Sequence, residues 1–268
     1  MSEINVPLTN SQIREIALQQ SAYDCNCRPE DFLSGVPLVT RSVKHARARK
    51  YLPLPFECDM VSYGSNIVAQ TSERLAEPVR RYIEAYPVEH CFETPNLHVL
   101  DDMLKDHDLR VCFMAEYFLP DTERLSELPC PCETRRLTAG DFTELYCPEW
   151  SNALCEQRKE LDVLGIGAYH QGKLVGLAGC SADCDTMYQI GVDVLPDYRG
   201  RGIASALTGR LAIEILKLGK VPFYCAAWCN IKSVRNAIRC GFRPAWVELT
   251  ARNRSFVDKI NQRAVFLS

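Results

Sequence analysis

The stretch that most constrains this chain runs from Met187 to Leu218. Met187 to Val194 has the length and apolar content of a strand. Leu195-Pro196 ends it, and Arg199-Gly200-Arg201-Gly202-Ile203-Ala204 follows. Ile203, Leu207, Leu211, Ile215 and Leu218 then recur at helical spacing, and Gly219 stops the helix. A strand, a glycine-rich turn and an amphipathic helix are therefore expected in that order. Glycines let the backbone approach a ligand closely. The helix start offers unpaired N–H groups and a partial positive charge. Arg199 and Arg201 add full charges. Such a corner suits a pyrophosphate, although taken alone it is equally an ordinary strand–helix corner with surface arginines.

The surroundings narrow this. Val163 to Tyr169 and Leu174 to Ala182 read as two strands joined by the turn His170-Gln171-Gly172-Lys173. Val221 to Ala227 reads as a strand, and Asn230 as the cap of a second helix with Val234, Ala237 and Ile238 on its buried face. Gly241 ends that helix, and Pro244 to Thr250 is a last strand. The nucleotide P-loop needs Gly-Lys-Ser/Thr, which is absent. The dinucleotide fingerprint needs a third glycine where Ser205 stands, and strands alternating with helices rather than a hairpin.

With Arg199, Gly202 and Ala204 in the turn, Val192-Asp193-Val194-Leu195-Pro196 before it, and Asn230, Ser233 and Gly241-Phe242 after it, the chain resembles the GNAT superfamily of N-acetyltransferases over about residues 133–250. The resemblance implies an α/β fold: a mixed twisted sheet with splayed central strands, the acyl-CoA N-acyltransferase fold. It implies acetyl-CoA as co-substrate. Backbone groups of Val192 and Val194 would pair with the pantetheine arm. The N–H groups of Gly200, Arg201, Gly202, Ile203, Ala204 and Ser205 would hold the pyrophosphate beside Arg199. Asn230, with Ser233, would face the arm where the strands part. A linear amide-bearing cofactor suits a splayed sheet edge as a peptide does in strand addition.

The implied reaction is direct attack of an amine on a thioester. It needs a proton acceptor for the amine, a donor for the oxyanion and, in many relatives, a proton donor for the thiolate. A backbone N–H near Val192 to Val194 can serve the oxyanion. The family's tyrosine donor, seven residues after the asparagine, is Ala237 here. For the base, Tyr188 stands where some relatives carry a glutamate and is the first choice; Asp193 is the only carboxylate on that strand, and Glu248 is a further option. Each is also a plausible structural polar residue. Trp228 and Cys229, just before Asn230, are candidates for the acceptor-substrate site, with core packing as the alternative for Trp228.

Upstream, Thr9 to Gln20 reads as a helix, Val61 to Thr71 as a strand, Ser72 to Tyr86 as a helix, a helix starts at Thr94-Pro95, and Leu109 to Leu119 is a strand. The proline-rich segment Leu119 to Cys132 reads as a linker. The expected organisation is thus a smaller α/β domain at 1–125 and the acetyltransferase-like domain at 131–268. The strand–helix–helix–strand order of the first could make it a diverged half of the same fold. The extra domain resembles the layout of some antibiotic-modifying relatives, so the expected acceptor is a primary amine of a small molecule. A protein or peptide amine is the alternative, as is a non-catalytic CoA-binding regulatory module.

A net charge of −3 argues against a nucleic-acid-binding body, and the basic run from Arg41 to Lys50 reads as a solvated face. No apolar run is long enough for a bilayer. The start, Met1-Ser2-Glu3-Ile4-Asn5, lacks signal-peptide character. A cytoplasmic protein with neither nucleic-acid nor membrane partners is expected, with a homodimer as the assembly left open. The 14 cysteines, including the pairs Cys25/Cys27 and Cys130/Cys132, read as reduced thiols; neither spacing suits zinc, and no metal is expected.

Overall fold

The computed structural model describes residues 7–265; the reading of Met1 to Asn5 lies outside them. Along the chain, helix α1 (Asn10–Cys25) precedes strands β1 (Leu38–Arg41), β2 (Cys58–Ser62) and β3 (Val68–Thr71). Helices α2 (Glu73–Ala85) and α3 (Thr94–Lys105) and strand β4 (Leu109–Pro120) follow. Next come β5 (Glu133–Thr138), a run of short 3₁₀ turns, then β6 (Asp162–His170), β7 (Lys173–Ser181) and β8 (Met187–Val194). Helix α4 (Ile203–Lys217), β9 (Val221–Ala227), α5 (Ile231–Arg239), β10 (Phe242–Asn253) and α6 (Arg254–Val265) complete it.

Two compact units form, and neither is one continuous stretch. The first takes the segment ending at Ala17 together with Tyr117–Ala245; the second takes Leu18–Glu116 and the segment from Trp246 onward. The sequence places the break within 119–132 instead. That segment is not a loose tether. Asp121 donates its N–H to the Gly241 carbonyl at 2.8 Å and its carboxylate accepts from Asn10 Nδ2 at 3.0 Å. Leu125 is buried, and its backbone lies 2.7 Å from where a Cβ on Gly241 would sit. The segment also explains a glycine inside α4: a Cβ on Gly209 would come within 3.3 Å of the Ser126 carbonyl.

In the first unit the strand order is β9-β8-β7-β6-β5. β5, β6, β7 and β8 are antiparallel neighbours, while β8 and β9 are parallel. The β6–β7 turn is tight because Gln171 (φ 50°) and Gly172 (φ 79°) both adopt left-handed backbone. Helix α4 packs on β6, β7 and β8. Its Ile203, Leu207, Leu211 and Ile215 are fully buried, each stabilising by about 1.5–3 kcal/mol. The far ends of the helix repeat differ: Leu218 lies past the last turn and is exposed. This mixed sheet, flanked by helices and open at its centre, is the architecture expected.

In the second unit β1 pairs with β3 in parallel, β3 with β2 and β2 with β10 antiparallel. The single strand expected over Val61 to Thr71 is two strands, because a turn at Gly64 (φ 95°) folds the segment back on itself. Leu75, Val79 and Ile83 of α2 and Leu100 and Leu104 of α3 build its core with Met60, Ala69 and Leu249. β3 passes into α2 through Ser72 alone, without a glycine turn. Arg49, within the basic run, is buried and paired with Asp24, so that residue is structural rather than part of a solvated face. Among the described residues no helix is long and apolar enough to cross a membrane, and no three His, Cys, Asp or Glu side chains are grouped to hold a metal.

Candidate functional site

The centre of the first unit is a seam. β8 and β9 are in register only from Met187↔Val221 to Ile190↔Tyr224. Beyond that point β8 continues to Val194 and β9 to Ala227 without pairing to each other. The main-chain direction of β8 in this open part follows from its other neighbour. Leu195 N–H donates to the Val175 carbonyl of β7 at 2.9 Å. Backbone groups alternate sides along a strand, so those of Val192 and Val194 point into the opening. The Val194 carbonyl accepts from Arg199 Nε at 2.9 Å and has a second lone pair.

The glycine turn borders this seam. Gly200 (φ 76°) and Gly202 (φ 82°) adopt left-handed backbone, and Gly202 is the N-cap of α4. A Cβ on Gly200 would meet nothing within 4 Å, and one on Gly202 only Arg239 Nη2 at 3.9 Å, so the turn faces open space. The first helical bond runs from Ala206 N–H to the Gly202 carbonyl. The N–H groups of Gly200 through Ser205 find no acceptor among the described residues. A row of unsatisfied donors at a helix start is an anion site. The side chains there have other tasks. Ile203 is core, packed where a Cβ of Gly176 would be. Ser205 Oγ donates to Asn236 Oδ1 at 2.9 Å. Arg199 ties the turn to Val194, and Arg201 bonds the Asp197 carbonyl at 2.9 Å and lies over the Tyr198 ring.

Helix α5 forms the other border. Asn230 caps it, its Oδ1 accepting from Ser233 N–H at 3.2 Å, which leaves its Nδ2 for a ligand. Ser233 Oγ is hydrogen-bonded to Tyr224 Oη at 2.8 Å, so its hydroxyl is engaged within the protein. Asn236 Nδ2 reaches Thr208 Oγ1 at 3.2 Å and Cys240 Sγ reaches the Ser205 carbonyl. The packed face of α5 is thus Ser233, Asn236, Ala237 and Cys240. Of the apolar face expected from the sequence, Ala237 is buried but Ile238 is 55% exposed, because polar bridges to α4 and β9 take its place. Trp228 (45% exposed) and Cys229 lie on the surface at the end of β9, so Trp228 is not core.

The catalytic candidates fall in different places. Tyr188 lies two residues before the last paired position, Ile190, about 7 Å into the closed part of the sheet. Burial pushes its phenol up, which disfavours the deprotonated form a base needs. Asp193 lies on the open part but is a clamp. Its carboxylate accepts from Asn152 N–H (2.8 Å), Asn152 Nδ2 (2.7 Å) and Ala153 N–H (2.9 Å). That clamp seats the 152–153 loop directly on β7 and β8, where Gly179 and Gly191 leave room for its carbonyls. Glu248 belongs to the second unit, buried with Arg49 Nη2 at 3.7 Å. Two residues at the site lie outside the sequence motif. Arg239 approaches the glycine turn, and its spacing from Lys232 and Arg235 on one helix face was the available signal. Tyr224 is a buried phenol in an otherwise apolar strand, at the last paired position of the seam.

Residues 124–242 match the acetyltransferase (GNAT) family. Similar solved structures include a GNAT-family protein from Novosphingobium aromaticivorans, 20% identical, covering 54% of this chain and 66% of that one with a TM-score of 0.44. A GCN5-related N-acetyltransferase-like protein from Streptococcus suis is 23% identical over 60% of this chain and 69% of its own, TM-score 0.43. A GNAT-family acetyltransferase from Colwellia psychrerythraea is 18% identical over 54% and 57%, TM-score 0.41. The matches therefore span about two thirds or less of those proteins. No curated protein matches the chain significantly.

Proposed function

Because residues 124–242 match the GNAT acetyltransferase family and the sheet has the mixed, open-centred architecture of the acyl-CoA N-acyltransferase fold, we propose that the chain moves an acetyl group from acetyl-CoA to a primary amine of a small molecule. The observation that carries this reading is the row of unsatisfied N–H groups from Gly200 to Ser205 beside the opening of β8 and β9. The pyrophosphate binds that row, with Arg239 adding charge. The pantetheine arm lies along Val192 and Val194 as an added strand. The thioester then reaches the closed end of the seam, at Ile190 and Tyr224. The amine attacks the thioester carbon directly. A main-chain N–H at the seam stabilises the oxyanion, and water takes the amine's proton, because burial disfavours the deprotonated Tyr188 phenol and the Asp193 carboxylate is engaged by the 152–153 loop.

The test is calorimetric titration with CoA, followed by thiol release from acetyl-CoA across a panel of small amines and peptides. Turnover with small amines supports the reading. Turnover with peptides alone favours a protein acceptor. Ala237 favours one further reading, a CoA-binding regulatory module, which tight CoA binding without turnover on any acceptor would support. Absence of CoA binding refutes all three.

A further inference from the structure

We infer that Tyr224 is the proton donor to the departing CoA thiolate, delivered from strand β9 rather than from helix α5. The inference rests on the proposed cofactor site. Three placements support it. First, Tyr224 is the register partner of Ile190, the last residue at which β8 and β9 pair. An arm running from the α4 N-terminus past Val194 and Val192 advances about 7 Å for every two residues, so its sulfur end arrives at this pair. Second, the phenol does not point at random into the core. Its hydroxyl meets Ser233 Oγ at 2.8 Å, on the first turn of α5, the turn that Asn230 caps. The donor is thus held between the closed end of the seam and the helix that borders it. Third, the packed face of α5 offers no phenol of its own: its titratable side chain is Cys240, whose thiol bonds the Ser205 carbonyl. Ser233 bonds the Tyr224 hydroxyl, Ala237 is small and buried, and the Tyr224 ring packs against Phe242 at 6.3 Å.

The step balances. The amine nitrogen bonds the acetyl carbon and the C–S bond breaks, its electron pair staying on sulfur. The phenol proton passes to sulfur, giving the CoA thiol. The proton lost by the amine returns through water to the phenolate, while Ser233 Oγ donates to the phenolate oxygen in the interval. Burial keeps the phenol protonated beforehand by raising its titration above the ordinary tyrosine range, with the hydrogen bonds from Ser233 and Asn236 opposing that rise.

The test needs no acceptor. CoA and desulfo-CoA, which lacks the sulfur, are titrated into the parent chain and into Tyr224→Phe by calorimetry. A hydrogen bond between the phenol and the sulfur should make the parent prefer CoA by about fivefold. Tyr224→Phe should abolish that preference while leaving desulfo-CoA affinity unchanged. A structural role for the phenol would weaken both ligands alike, and that result overturns the inference. A parent chain that binds the two ligands equally also overturns it, and this arm stands even should the variant fail to fold. If the parent binds neither, the cofactor site itself is wrong, which is a separate and recognisable failure.

Discussion

Gly202→Val tests the cradle, because the cost to folding and the cost to binding can be worked out separately. In the ligand-free protein the only penalty is the left-handed backbone, φ 82°. That costs a branched residue about 1–2 kcal/mol. Its Cβ adds no clash, since it would meet only Arg239 Nη2 at 3.9 Å. Against a typical total of about 5–15 kcal/mol the chain stays folded, and its melting temperature should fall by a few degrees, about 2–4 °C per kcal/mol. Binding suffers more. The added side chain would enter the open space at the Gly202 N-cap, next to the unsatisfied N–H groups of the turn. Losing two hydrogen bonds to a charged phosphate costs about 3–6 kcal/mol, a loss of about 10²–10⁴ in CoA affinity. Calorimetry measures it, with acetyl-pantetheine, which has no pyrophosphate, as the insensitive control. A folded variant whose CoA affinity stays within about threefold of the parent would refute the cradle.

Asp193→Asn should lower stability by about 1–3 kcal/mol in urea unfolding by weakening the 152–153 clamp; abolished turnover at unchanged stability would instead make Asp193 the base. Gly241→Ala should cost on the order of 3 kcal/mol or more, since its φ of 89° disfavours a side chain and the Cβ would lie 2.7 Å from Leu125 backbone atoms; a parent-like melting curve would contradict the packed linker. Asp59 is buried, and desolvation followed by the nearby Glu248 raises its carboxyl well above the usual range, against hydrogen bonds from Gln70 and Thr250. The folded state therefore holds this proton more tightly than the unfolded chain. The stability it contributes is full below the unfolded carboxyl range and is lost as pH rises through the folded titration. Urea unfolding from acidic to alkaline pH should show that decline, and Asp59→Asn should flatten it.

The elements around the glycine turn were legible in the sequence because each is set locally. Strand Met187–Val194 and strand Val221–Ala227 have the bounds that their composition predicts. Gly219 (φ 70°) and the Asn230 cap act where the sequence puts them. What the sequence hid is set by partners distant along the chain. Nothing in Asp193 itself announces that Asn152 and Ala153 hold its carboxylate. The spacing of Val234, Ala237 and Ile238 predicts an inward face, but the bridges from Ser233 to Tyr224 and from Asn236 to Thr208 rotate α5, so that Ala237 is buried, Val234 half-buried and Ile238 exposed. The segment at 119–132 looks like a linker because proline and charge dominate it; its anchoring on Gly241 and Asn10 appears only in three dimensions. Position along the strand points to Tyr188, whereas the register with β9 places it below the opening.

The opening between β8 and β9 has a consequence for how this site tolerates change. An arm lying there is read by the main chain of Val192 and Val194, not by their side chains. Recognition is then written in the path of the strand, and the letters at those positions are nearly silent. Exchanging either valine for another strand-forming residue should pass unnoticed, whereas proline, which removes the one N–H in use, should be a lethal misprint. A site of this kind can drift far in sequence while its ligand stays the same.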